Sequence, residues 1–307
     1  MLNTKTTQSY LNPKIFKILK KLYLILQNDY SFVEYSIFLC GGAGQDQARF
    51  RRKLGRKIAS LKSRFMYSVY YPEDLFLELM YGHSQHNLLS LENFLAKSVD
   101  SVVIPLESPG TFTELGAFVN HDELRKKVIA IVKPKYKNND SFINKGPIAL
   151  LKTDRRESVM YSNLEEKNIT TLAYNITSRI RGNRNNSEKI VLDLSNPIAS
   201  QLFYLCVVYL LDPLSIDHFR MIVRYFNKEG NEVNLTILEE TILNRVHSHN
   251  NIGINSQHQL ICKEGGFVKI LQSKGLNKEQ VNGLLNSLSN LRIACINLYY
   301  RNNGGFI

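Results

Sequence analysis

The chain has 307 residues, with 39 Lys plus Arg against 27 Asp plus Glu for a formal net charge of +12, and it is 44% hydrophobic, 10% aromatic and 21% charged. That composition belongs to a folded globular protein and excludes a disordered, collagenous or disulfide-stapled chain. At roughly 100–200 residues per domain, the length accommodates two domains, each with its own core. The charge is unevenly placed, because residues 183–307 hold 12 Lys/Arg and 10 Asp/Glu and residues 1–182 hold 27 and 17.

Residues 1–34 are expected to form an N-terminal segment built on an amphipathic helix. From Pro13 to Gln27, Lys14, Lys17, Lys20 and Lys21 alternate with Ile15, Phe16, Ile18, Leu19, Leu22, Leu24, Ile25 and Leu26. The segment lacks the small-residue cleavage site of a signal peptide. Its pattern predicts a helix packed on the domain, with a membrane-surface or partner-binding role as the alternative. No stretch reaches about 18 uncharged apolar residues, so no membrane span is expected.

Residues 35–182 alternate short apolar runs with helical periodicity. The run Ser36 to Cys40 ends at Gly41, Gly42 and Gly44, which reads as a strand entering a glycine turn. Phe50, Leu54, Ile58, Leu61 and Phe65 then mark one face of a helix. Around that face lie Arg49, Arg51, Arg52, Lys53, Arg56 and Lys57, followed by Lys62 and Arg64, with no acid from 49 to 64. Such a run fits a polyanion such as nucleic acid, or a phosphorylated small molecule, and equally fits a solvated helix face. Further strands are expected at Met66 to Tyr71, Asp100 to Leu106, Lys127 to Val132 and Ser158 to Tyr161. Helices are expected at Leu88 to Lys97, from about Thr113 to His121, and at Asn163 to Arg181. Strands separated by helices imply right-handed crossovers, hence an α/β, Rossmann-like parallel sheet. Ligands in such sheets lie beyond the carboxyl ends of the strands, so the turns after Cys40, Tyr71 and Leu106 are the candidates.

Residues 182–189 read as a polar linker, and 190–307 as a smaller, mostly α domain of winged-helix type. Helices are expected at Pro197 to Leu211, Ser215 to Asn227, Val233 to His249 and after Asn277, followed by a strand from Leu291 to Tyr300. Lys269, Lys274, Lys278, Arg292 and Arg301 can form a local patch with Tyr299 and Tyr300. The near-neutral charge of this half is weak for a DNA reader, and protein docking stands beside duplex binding as its role. Cys40, Cys206, Cys262 and Cys295 are far apart in apolar runs, which suggests buried free thiols in a reducing cytoplasm. Neither they nor His247, His249 and His258 show a zinc-site spacing, so no metal is expected.

The chemistry concentrates in Val102 to Phe118, VVIPLESPGTFTELGAF. Here a strand delivers Glu107, Ser108, Pro109, Gly110 and Thr111 to the sheet edge, and the next helix is expected at about Thr113 with Glu114 in its first turn. Glycine turns and helix N-termini offer unpaired N–H groups to a phosphate or carboxylate. One of the two nearby carboxylates can stabilise a cationic sugar carbon while the other handles a proton or ribose hydroxyl. The bland alternative for Glu114 is a capping box, Thr111-x-x-Glu114. For Glu107 it is a loop carboxylate in water or paired with the arginine-rich helix, and for Ser108 a turn residue.

GTFTELGAF, after a parallel strand and opening a helix, resembles the signature of nucleoside 2-deoxyribosyltransferases and related nucleotide N-glycosidases. The resemblance implies that Glu114 is the nucleophile on the anomeric carbon and that Gly41, Gly42 and Gly44 contact the nucleotide. Tyr71, Glu73 and Asp74 would form a further wall beside Ser108, Gly110 and Thr111. Glu107 has no counterpart in the small transferases and remains a second catalytic candidate. Across both halves the chain is similar to the ribosyltransferase-like, DNA-binding effectors of bacterial retrons, which are anti-phage systems. That resemblance implies an N-glycosidase or ribosyl transfer on a nucleotide, NAD foremost, as substrate rather than cofactor. It also implies restraint by the retron reverse transcriptase with its RNA-linked single-stranded DNA. Whether Arg49, Arg51, Arg52, Lys53, Arg56 and Lys57 contact that nucleic acid, occlude the site or build a homo-oligomer stays open. The other class of reading is a non-catalytic adaptor that senses a nucleotide and binds DNA.

Overall fold

The computed structural model describes residues 11–29, 34–42, 44–61, 66–72, 96, 98–183, 192–227, 232–274 and 276–301. The chain divides into two compact units, Phe32–Lys189 and a second one assembled from Met1–Ser31 with Ile190–Ile307.

In the first unit, β1 (Glu34–Leu39), β2 (Met66–Tyr70), β3 (Ser101–Pro105), β4 (Val128–Val132) and β5 (Val159–Tyr161) form a parallel sheet of order β2-β1-β3-β4-β5. Every residue of β3 and β4 is buried, as expected of parallel strands covered on both faces. Between the strands run α2 (Gln45–Ala59), α3 (Pro109–Val119) and α4 (Pro147–Asp154), α5 (Ile169–Asn183) follows the last strand, and α1 (Pro13–Asp29) precedes them all.

Strand alternation sorts the core into two faces. Tyr35, Ile37, Leu39, Val103, Ile129 and Ile131 meet Phe50, Leu54 and Ile58 of α2 and Leu172, Ala173 and Ile176 of α5. The intervening residues Phe38, Val102, Ile104, Val128 and Ala130 are buried as well, and α3 packs on β3, β4 and α4. β1 and β3 are further locked by Asp100, whose carboxylate accepts from the Ser36 N–H at 2.8 Å and its hydroxyl at 2.7 Å. The β1-to-β2 helix thus covers one face and the β3-to-β4 helix the other. The direction of winding reverses between β1 and β3, the switch point at which sheets of this order form a crevice beyond the carboxyl ends.

The second unit comprises α1, α6 (Gln201–Leu210), β6 (Leu214–Ser215), α7 (Ile216–Phe226), α8 (Glu232–His247), β7 (Ile252–Ile254), β8 (Gln259–Cys262), α9 (Gly266–Ser273) and α10 (Lys278–Arg301). Its small antiparallel sheet has the order β6-β8-β7. Leu11, Ile15, Leu19, Leu22 and Leu26 form the buried stripe of α1, which packs on α6 and α10. Phe16 stacks on Tyr225 with centroids 4.0 Å apart, while Lys14, Lys17, Lys20 and Lys21 are exposed.

Two sequence expectations are corrected here. The strand from Leu291 to Tyr300 is helix, because α10 runs unbroken to Arg301. Val281, Leu284, Leu288, Leu291 and Cys295 are all buried at helical spacing, and this continuous stripe outweighs the β-type composition of Ile293 to Tyr300. The hairpin lies earlier, at β7 and β8, joined by a turn with Asn255 at its start and His258 at φ +56°. The Asn255 side chain accepts from the N–H groups of Gln257 and Gln259, each at 3.0 Å.

The helix expected at Leu88 to Lys97 lies largely outside the described residues. Among the described residues no helix is long and apolar enough to cross a membrane.

Candidate active site

The loop after β1 and the loop after β3 meet at the winding reversal. Cys40 N–H donates to Val103 O at 3.0 Å, which extends the β1–β3 pairing to the edge of the crevice. Just beyond it, the Gly42 N–H donates to Glu107 Oε1 at 3.2 Å, and Gln47 Nε2 of α2 donates to Glu107 O at 3.1 Å. Arg51 Nη1, one turn further along α2, donates to Gly41 O at 3.3 Å. A side chain on either glycine would push a neighbouring side chain of α2 out of place. A Cβ on Gly42 would fall 2.0 Å from Gln47 Oε1, and one on Gly41 would fall 2.7 Å from Arg51 Cδ.

α3 begins four residues earlier than expected, at Pro109, with Ser108 as its N-cap. Ser followed by Pro at the first helical position is itself a helix-start signal. The capping box is made by Ser108 and Thr111: the Ser108 hydroxyl accepts from the Thr111 N–H at 3.4 Å, and Thr111 Oγ1 accepts from the Ser108 N–H at 3.1 Å. Thr111 Oγ1 also accepts from the Glu107 N–H at 3.2 Å and donates to Ser108 O at 2.8 Å. The alternative that assigned capping to Glu114 is therefore overturned, because a serine and a threonine already close the helix end. Glu114 sits in the second turn, half-buried, four residues after Gly110 and on the same flank of α3. That flank is open at its start, since a Cβ on Gly110 would meet only Ser108 Oγ at 3.9 Å.

Glu107 is half-buried. Desolvation by burial pushes its carboxyl above the ordinary glutamate value, partly opposed by the Gly42 N–H and by the positive charges of Lys133 and Arg51. Burial thus makes this carboxyl hold its proton more tightly than a solvated glutamate does. Glu107 is thus a component of the crevice, not a solvated loop residue.

Other sequence-derived candidates separate. Gly44 is the extended N-cap of α2, without a side-chain cap. Tyr71 is only 7% exposed and lies in the core shared with α2. Its hydroxyl would stand 1.9 Å from a Cβ on Gly55, and Arg52 lies over its ring at 4.1 Å. Tyr71 is therefore a packing residue that backs α2, not an open wall. Glu73 and Asp74 lie outside the described residues. In the basic helix Arg49 and Arg56 are exposed, whereas Lys53 pairs with Glu166. Arg51 is 4% exposed and turned toward Gly41, which assigns it to the crevice instead of the outer face.

Gln47, Arg51 in this inward role, and Lys133 are crevice residues that the sequence reading did not single out. Lys133 had a usable signal, because it is the first residue after the apolar strand β4 and so stands at the sheet's carboxyl edge. Gln47 had none beyond its place on α2.

Cys40, Cys206 and Cys295 are buried free thiols and Cys262 is half-buried. Burial raises Cys262 to about 11 and Cys295 to about 12, and raises Cys206 further still, so these three thiols stay protonated. Among the described residues no group of three or more His, Cys, Asp and Glu is placed to hold a metal ion.

A parallel sheet of order 2-1-3-4-5, with Glu107 and the Gly42 N–H joined at its β1/β3 reversal, defines a Rossmann-like α/β protein. More particularly, the chain belongs to the STM3845 retron effector protein family, which matches residues 47–254. It is similar to the Escherichia coli protein named "Retron Ec86 putative ribosyltransferase/DNA-binding protein", 37% identical over 193 residues that make up 60% of this chain and 62% of that relative. A second Escherichia coli relative, "Retron Ec73 putative ribosyltransferase/DNA-binding protein", is 35% identical over 130 residues, 41% of this chain and 40% of the relative. These matches span less than two thirds of either relative's length.

Proposed function

We propose that this retron effector is a ribosyltransferase-like enzyme that cleaves the N-glycosidic bond of a nucleotide, with NAD as the foremost substrate. The observation that carries the reading is that Ser108 and Thr111 cap α3, so that neither Glu107, at the end of the β3–α3 connection, nor Glu114, in the second turn of the helix, serves as its cap. Cleavage passes through an oxocarbenium-like state that a carboxylate beneath the sugar stabilises. Glu114, on the open flank of α3, takes that role. Glu107, with its raised pKa, handles the proton, while Gly42 and the start of α3 position the phosphate or ribose. Water as acceptor gives hydrolysis, and a second base gives transfer. The relatives' names support the ribosyltransferase class, and family membership supports restraint by a reverse transcriptase with its RNA-linked single-stranded DNA.

In the second unit the order α6-β6-α7-α8-β7-β8 and the sheet order β6-β8-β7 fit a winged helix, which we take to be its architecture. The helix that reads the groove in such folds is α8. Here Glu239 of α8 is 2% exposed and paired with Arg224, and Glu240 is paired with Arg220. An acidic, buried reading helix favours docking to protein over reading a duplex.

The test is incubation of the purified chain, alone and with its retron partners, with NAD and with nucleosides, followed by chromatography of released base. Glu114→Gln and Glu107→Gln are each expected to reduce release by at least about 100-fold with folding intact. If the wild-type chain releases no base under any of these conditions, the non-catalytic sensor reading replaces this one.

A further inference from the structure

The connection from β4 to β5 carries a surface that the catalytic reading does not use. Residues 133–152 contain Lys133, Lys135, Lys137, Lys145 and Lys152 against the single acid Asp140. Among these lysines sit aromatic rings that the fold leaves outside its core, with Phe142 84% exposed and Tyr136 41% exposed. Lys135 lies over the Tyr136 ring at 4.8 Å, and Lys137 and Lys152 lie over the Tyr161 ring at 5.2 and 5.4 Å.

The rings are held outward by ordered backbone. Phe142 opens a short helical turn whose N-cap Ser141 accepts from the Asn144 N–H at 3.4 Å. Asn144 Nδ2 in turn donates to Tyr136 O at 2.8 Å and Asn139 O at 2.7 Å, tying the two aromatic positions to one another. An exposed phenylalanine and tyrosine on an ordered loop forgo the gain that burial of an aromatic ring brings. A surface of this kind marks an interaction site.

We propose that this connection is a docking surface for single-stranded nucleic acid, with unpaired bases stacking on Tyr136 and Phe142 and phosphates held by Lys135 and Lys137, while Lys145 is paired with Asp140. Lysines alone would suit any polyanion. Exposed ring faces between them select a strand whose bases are unstacked, because duplex bases present no free faces to a flat ring. An acidic polypeptide would use the lysines and leave the rings without a partner. The surface follows directly on Lys133, the first residue after β4. Docking is a property separate from base release and does not depend on it.

The experiment uses the full chain, a fluorescein-labelled oligothymidylate of about 20 nucleotides and fluorescence anisotropy at low salt. Tyr136→Ala/Phe142→Ala is expected to weaken binding at least about tenfold, the size of the loss of one or two stacked bases, with little change for a duplex of equal length. Lys135→Glu/Lys137→Glu is expected to weaken binding and to flatten its salt dependence. A 5-bromodeoxyuridine oligonucleotide is expected to photocrosslink within residues 133–161. Circular dichroism checks that both variants fold, as the exposure of these side chains leads one to expect. The proposal is overturned if the wild-type chain does not bind the oligonucleotide, if the aromatic variant binds within about twofold of wild type, or if crosslinks fall elsewhere. Competition by polyglutamate as strong as by unlabelled oligonucleotide would also overturn it, in favour of an acidic protein partner.

Discussion

Glu107 illustrates how burial sets the proton affinity of a single residue. Its carboxyl is raised first by burial, so the folded chain binds that proton more tightly than the unfolded chain does. Its contribution to stability is therefore full below the ordinary carboxyl value and is lost as pH rises through the folded value. Glu107→Gln removes the buried charge while its amide oxygen can still accept from Gly42. The variant is expected to melt about 1–3 °C higher than wild type at pH 7 to 8, with the gain vanishing below about pH 4, measured by scanning calorimetry across pH. A lower melting temperature at neutral pH would mean that the carboxylate is structurally required. Arg51 belongs to the same group through its bond to Gly41 O.

At the scale of elements, the informative cases are those in which one helix settles the meaning of several residues. The start of α3 at Pro109, with Ser108 and Thr111 closing its end, is what removes the capping role from Glu114. α1 is decided by what it covers. Its stripe of Ile15, Leu19, Leu22 and Leu26 is buried against α6 and α10, so the helix is structural in the second unit and its lysines form the outer face. Leu19→Ala is expected to destabilise that unit by about 2–5 kcal/mol, the cost of a large-to-small change in a packed site. In calorimetry the transition of the second unit should fall while that of the parallel-sheet unit stays in place. Equal shifts of both would show that α1 does not belong to the second unit alone.

For the whole molecule, the net charge of +12 separates into cations with different duties. On α2, Arg51 is turned into the crevice, Arg52 lies over Tyr71 and Lys53 pairs with Glu166, which leaves Arg49 and Arg56 exposed beside the half-buried Lys57. If this face holds the polyanionic partner proposed above, Arg49→Glu/Arg56→Glu/Lys57→Glu is expected to weaken binding of nucleic acid and to lower the slope of log affinity against log salt. The slope should change by about one for each phosphate that the variant no longer neutralises, and base release should be unaffected. An unchanged salt slope in titrations across ionic strength would mean that this face is merely solvated.

Much of the parallel-sheet unit was legible from sequence because buried parallel strands are continuous apolar runs and their helices keep a 3.6-residue period. SIFLC, VVIP and VIAIV could be placed on those grounds. The two glycine-containing turns and the two glutamates followed from strand order and from the resemblance carried by GTFTELGAF. Tertiary structure alone decided which side chains converge. Glu107 meets Gly42 across 65 residues of sequence, and the inward turn of Arg51 and burial of Tyr71 depend on the close approach of α2 to β2 at Gly55. The same holds for α1 joining the C-terminal unit and for α10 remaining helical through Tyr300. Local composition cannot determine such features, because they are fixed by partners distant in sequence whose burial outweighs the intrinsic preference of the segment.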